Sequence, residues 1–163
     1  MPSEVEVIDA AAWEALQRLA RRGLVPALAA AVQSGPDGSA EAGARRRERA
    51  TGLMEEARRK LKMAGVLRSG GFAVEALAPA HEGVEIGVRA TAIAYALLAE
   101  DEQSAVPESL LRGDLLARAF VGGEDVNLVV RLRANGVAVT DTREAETLVE
   151  ESGALLHRLA EQM

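Results

Sequence analysis

The chain contains no cysteine. That absence excludes thiolate catalysis, zinc-thiolate sites and a disulfide framework, and it suits a reducing compartment, so the expected location is cytoplasmic. Aromatic residues are almost missing as well: Trp13, Phe72, Tyr95 and Phe120 are all that 163 residues provide. Hydrophobic residues nevertheless make up 48% of the chain, so a core must be assembled from Ala, Leu and Val. Ala and Leu lead the helix-propensity ranking, and the abundant Arg and Glu are also good helix formers. Sheets lean instead on β-branched and aromatic residues. The fold class expected is therefore all-α, an up-and-down helical bundle with an N-terminal helical appendage. No run of about 20 uncharged apolar residues is present, and no basic leader precedes an apolar stretch, so no membrane partner and no secretion are expected.

Histidine is equally scarce. His81 and His157 fall in different expected helices, too few for a zinc site, and neither shows a metal-ligand motif; no metal and no cofactor are expected. The phosphate-binding glycine patterns, Gly-x-x-x-x-Gly-Lys and Gly-x-Gly-x-x-Gly after a strand, do not occur, which excludes a nucleotide-driven motor within this chain. Gly122-Gly123-Glu124-Asp125 lacks the repeated oxygen ligands of a calcium loop and reads as a turn between helices.

Charge is what the chain does have, and it is polarised. The formal net charge is -6, yet residues 45 to 68 hold nine Arg or Lys against three Glu, a local +6, leaving ten bases against 22 acids elsewhere, or -12. Arg45, Arg46, Arg47, Arg49, Arg58, Arg59, Lys60 and Lys62, with Arg68 behind them, are the candidate contacts for nucleic acid or an acidic partner. Bases strung along a helix can follow a phosphate backbone. This segment contains no aromatic residue for base stacking, and the whole chain is acidic, so protein contact is favoured over nucleic acid.

Periodicity divides the chain into three parts: an N-terminal helical segment (1–33), a flexible linker (34–44) and a bundle (45–163). Asp9 is a candidate N-cap for a helix over 10–22 that carries Trp13, Leu16 and Leu19 and ends at Gly23. Leu24 to Val32 reads as a short helix entered through Pro26, broken by Ser34-Gly-Pro-Asp-Gly-Ser. A long helix follows from Arg45 to Leu67, with Leu53, Ala57, Leu61 and Ala64 on one face, closed by Gly70-Gly71. The apolar tract 73–100 is the central helix, restarted at Pro79 after a short turn; Val84, Val88, Thr91 and Tyr95 form one row, with Leu77, Ile86, Ile93 and Leu97 beside it. Further helices are expected over 107–120, with Pro107 in its first turn, over 124–134, closed by Gly136, and from the Asp141 cap onward with Leu148, Leu155 and Leu159 inward. Leu110, Leu111 and Phe120 are candidate protein contacts and equally candidate core.

The run Ala57-Arg-Arg-Lys-Leu-Lys-Met-Ala-Gly-Val-Leu-Arg-Ser-Gly-Gly-Phe-Ala-Val-Glu-Ala-Leu-Ala-Pro-Ala-His-Glu-Gly-Val-Glu-Ile resembles the opening helix pair of HEPN-like bundles. The resemblance implies a four- or five-helix bundle that commonly dimerises, in a family where many members are ribonucleases. Catalytic members place a His four to six residues after an Arg. Here Arg68 precedes His81 by thirteen residues and Arg143 precedes His157 by fourteen, so no catalytic residue is carried over. Val5-Glu-Val-Ile-Asp-Ala-Ala-Ala-Trp-Glu-Ala-Leu-Gln-Arg-Leu is similar to tails following the motor core of bacterial Swi/Snf-type helicases. That likeness implies an accessory part of a helicase. The expected function is a non-catalytic protein-interaction or dimerisation module, with a protein partner or a second copy. The alternative is a HEPN-type ribonuclease or a nucleic-acid-positioning appendage using the basic helix 45–68. A contact module should lack a pocket of converging titratable groups, whereas a nuclease requires a His beside an Arg and a carboxylate in a cleft.

Overall fold

The structure is a computed structural model and describes residues 26–135 and 141–163. The expected helix over 10–22, its Asp9 cap, Trp13 and the stop at Gly136 lie outside the described residues. Among these residues there is no strand. The elements are α1 (Pro26–Ser69), α2 (Leu77–Ala94), a short α3 (Glu108–Leu110) running into a π-helical stretch (Leu111–Leu115), α4 (Gly123–Asn135) and α5 (Thr142–Glu161). No described helix is long and apolar enough to cross a membrane.

Residues 34–44, expected as a flexible linker, are helical: α1 runs through Ser34-Gly-Pro-Asp-Gly-Ser without a break. Pro36 lacks an amide donor, and Gly35 and Gly38 each cost about 1 kcal/mol relative to alanine, so the Ala- and Arg-rich flanks carry this stretch. The chain divides into two compact units, Met1–Ala44 and Arg45–Met163. Everything below concerns the second.

α1 ends as its glycines dictate. Gly71 takes φ +87°, and the amides of Gly71 and Phe72 turn back to the carbonyls of Arg68 and Leu67, at 3.0 and 2.9 Å. α2 begins at Leu77, so Pro79 sits in the first turn where its missing amide costs nothing. α2 is shorter than the apolar tract suggested. It ends at Ala94, with Ala96 left-handed at φ +57° and the Leu97 amide on Ala92 O at 2.8 Å; Leu97 packs on the core from the following turn. The π-helical stretch closes the same way, through Ala119 at φ +58° and the Phe120 amide on Leu115 O. Pro107 is the N-cap of α3 rather than a first-turn residue. At the start of α4 the Gly122 amide donates to Asp125 Oδ2 at 2.8 Å, the return half of a capping box made by the carboxylate three residues on. Asp141 caps α5 as expected, its Oδ1 accepting from the amides of Arg143 and Glu144.

α2 is central. It packs most extensively on α5 and also meets α4, while α4 touches α5 and the π-helical stretch. The core gathers Leu53, Ala57 and Ala64 of α1, Val84, Val88 and Ile93 of α2, Leu111 and Leu115, Val126 and Val129 of α4, and Leu148, Leu155 and Leu159 of α5. Small residues let the axes approach. A Cβ on Gly83 would lie 3.1 Å from both Ala57 O and Leu61 Cγ, and one on Gly87 would lie 2.2 Å from Leu156 Cδ1. Tyr95 stacks on Phe120, ring centroids 4.0 Å apart, and its hydroxyl donates to Gln162 O at 2.5 Å, fastening the end of α5.

Candidate functional site

Two features of the bundle carry chemistry. The first is a polar row on α2. His81, Glu85 and Arg89 follow at four-residue spacing and so share one helix face. Arg133, from α4, reaches Glu85 with Nε to Oε1 at 2.5 Å and Nη2 to Oε2 at 2.9 Å, and Nη2 also donates to Val106 O at 2.7 Å. Arg89 Nη1 donates to Gln103 O at 2.5 Å. Two arginines thus hold the crossing segment before α3 against the bundle. His81 Nε2 lies 3.5 Å from Glu85 Oε1, sealed from solvent and without a hydrogen bond, and Arg89 Nε is likewise unpartnered. Burial pushes the Glu85 carboxyl up, but the Arg133 hydrogen bonds and the neighbouring His81 and Arg133 outweigh it and hold it at about 2. Glu85 in turn raises the Arg133 guanidinium above its ordinary value. Beside the cluster opens a cavity of about 420 Å³ lined by His81, Glu85, Ala105, Val106, Pro107 and Arg133.

The chemistry available there is limited. Arg133 spends its Nε and Nη2 on Glu85 and Val106, and Glu85 is committed to Arg133, so the pair acts as a clasp between α2, α4 and the crossing segment. A general base must reach its proton, and His81 Nε2 is closed off. His157, on α5, is exposed with Glu161 Oε1 at 3.4 Å. No described group of three or more His, Asp or Glu is placed to hold a metal ion.

The second feature is the outer face of α1. Arg59, Lys62, Met63 and Val66 follow at i, i+3, i+4 and i+7, the spacing of a single helix face, and all four are exposed. Four of the six large hydrophobic side chains exposed among the described residues fall within 63–74: Met63 (49%), Val66 (66%), Phe72 (55%) and Val74 (37%). Phe72 leans against Gly70 in the turn that closes α1. Isolated exposed apolar residues are ordinary; four within twelve residues of chain make this segment the candidate contact surface.

The candidate bases do not behave alike. Arg46 pairs with Glu100 at 3.7 Å, Lys60 with Glu82 and Arg68 with Glu150 at 2.5 Å, so these three are taken up within the bundle. Among the described residues, Arg45, Arg47, Arg49, Arg58, Arg59 and Lys62 have no carboxylate within 4.0 Å. The candidate protein contacts resolve the other way: Leu111 is fully buried, and Leu110 and Phe120 pack against the core. They are core because the π-helical stretch turns toward α4.

Sequence reasoning missed the Met63–Val74 surface, the pairing of each His with a Glu four residues later, and the arrival of Arg133 beside His81 and Glu85. The His-Glu spacing was visible in the sequence; Arg133, 48 residues from Glu85, gave no such signal. A pocket with converging titratable groups, not expected of a contact module, is present. Compared with protein-family models, curated proteins and solved structures, the chain matches none of them.

Proposed function

We propose that this chain is a cytoplasmic, HEPN-like helical module that works by protein contact and has no catalytic chemistry of its own. The observation that carries this reading is the exposed apolar group Met63, Val66, Phe72 and Val74 at the end of α1, bordered by unpaired bases. A place beside a Swi/Snf-type helicase is part of the proposal and rests on residues 5–19. The test is the light-scattering mass of the purified chain against concentration, with and without short single-stranded RNA, at low and moderate salt. Self-association or a protein complex that the triple variant M63S/V66S/F72S abolishes supports the module. A chain that stays monomeric and binds RNA with a steep salt dependence refutes it.

One observation favours a second reading. His81 lies beside Glu85 and Arg133 next to a cleft, the constellation an RNA-cleaving HEPN bundle would need. Against it stand the mutual commitment of Arg133 and Glu85 and the closure of His81 Nε2. RNA cleavage that His81→Ala abolishes, without a change in melting temperature, would establish this reading in place of the first.

A further inference from the structure

We propose that the outer face of α1 receives an acidic amphipathic helix from a partner protein, its apolar stripe seated on Met63, Val66 and Phe72 and its carboxylates on Arg59 and Lys62. This rests on the contact-module reading and adds the chemistry of the partner. The spacing of Arg59, Lys62, Met63 and Val66 gives one continuous helix face, and a helix laid along another helix is met by anchors at this same spacing. The bases on that face have no described carboxylate within 4.0 Å, so their charge is available to a partner; Glu55 and Glu56, four and three residues before Arg59, are the acids at the head of the row. A partner combining apolar and acidic groups satisfies both halves of the surface at once.

A second copy of this chain fits less well. A two-fold dimer through this face sets the patch against itself and gathers the unpaired bases of both copies, Arg59 and Lys62 twice over, into one interface. Nucleic acid also fits less well, because a phosphate backbone gains nothing from Met63 and Val66, and Phe72 is the single aromatic ring there.

The probe is a model peptide of about five helical turns, Leu at i, i+3, i+4 and i+7, Glu flanking the stripe and Ala elsewhere. It is titrated into the full chain beside a Lys-for-Glu counterpart, a scrambled-order control and single-stranded RNA. Saturable binding of the Glu peptide is expected, with the controls weaker, and both R59E/K62E and M63S/V66S/F72S should weaken it by about tenfold or more. These positions are exposed, and unchanged circular dichroism confirms that the variants fold. No binding of the Glu peptide up to about 1 mM, or equal binding of the Lys peptide, overturns the proposal. So does RNA binding that R59E/K62E weakens and M63S/V66S/F72S leaves intact. Self-association dissolved by M63S/V66S/F72S without peptide binding overturns the acidic partner and leaves the contact-module reading standing.

Discussion

Gly87→Ala should destabilise the bundle although alanine is the better helix former. Gly87 lies in α2 where that helix packs on α5, and a Cβ there would stand 2.2 Å from Leu156 Cδ1. Carbon atoms pack at about 3.5–4.0 Å, so the Leu156 methyl must give way by more than about 1 Å. Leu156 is 3% exposed and belongs to the core cluster, so its displacement disturbs neighbours that are themselves packed. The helix-propensity gain is about 1 kcal/mol and the overpacking cost about 1–3 kcal/mol, which leaves a net loss of about 1 kcal/mol. Leu156→Ala alone removes a buried side chain and should cost about 2–4 kcal/mol. In the double variant the clash is gone and alanine keeps its helical advantage, so the combined loss should fall short of the sum by about 1–2 kcal/mol. Urea melts followed by helical circular dichroism give all four stabilities, provided the slope stays constant. A Gly87→Ala protein more stable than the parent, or effects that add within about 0.3 kcal/mol, would refute the account of close packing at this crossing.

Ala96→Gly and Ala119→Gly should each stabilise by about 0.5–1 kcal/mol, because both alanines hold positive φ in exposed helix ends where a side chain is strained; thermal melts would show it, and a lowered midpoint contradicts it. Glu85→Gln should cost about 2 kcal/mol at neutral pH by leaving Arg133 opposite a neutral group. Since the folded Glu85 carboxyl is held down near 2, its contribution is full above the unfolded value and disappears as pH falls from about 4.5 toward 2. The gap in urea midpoint between parent and variant should therefore close through that window; a gap independent of pH would show that the charge is not responsible. Asp141→Ala should cost about 1 kcal/mol by stripping the cap from two amides of α5, with faster amide exchange confined to its first turn.

The bundle was legible where one apolar row decides the buried face. Val84, Val88 and Thr91 in α2, and Leu148, Leu155 and Leu159 in α5, are buried as their spacing required. The helix ends at Gly71 and Asp141 were legible because cap chemistry is local. The ends at Ala96 and Ala119 were not, since alanine gives no sign of a left-handed turn, and α2 looked longer than it is because Leu97 packs on the core from outside the helix. The Ser34–Ser39 break was overread: local turn preference loses there to the helix formers on both sides. In α1 the expected row of Leu53, Ala57, Leu61 and Ala64 is the one turned to the core, while Met63 and Val66 form a second apolar group off that row.

Packing decides between them. Leu53, Ala57 and Ala64 face the core, where α2 packs so close that a Cβ on Gly83 would lie 3.1 Å from the Ala57 carbonyl oxygen. An approach that close is filled by small side chains, so α1 meets its share of the core with a narrow strip. Met63, Val66 and Phe72 then lie outside that strip, where full burial of such side chains would be worth about 1.5–3 kcal/mol each and the isolated bundle leaves about half of that or more unrealised. The gain remains available to association. The unpaired bases Arg59 and Lys62 beside them are the charges that the proposed acidic helix would meet. The crossing that makes α1 a good core helix thereby leaves its opposite face exposed.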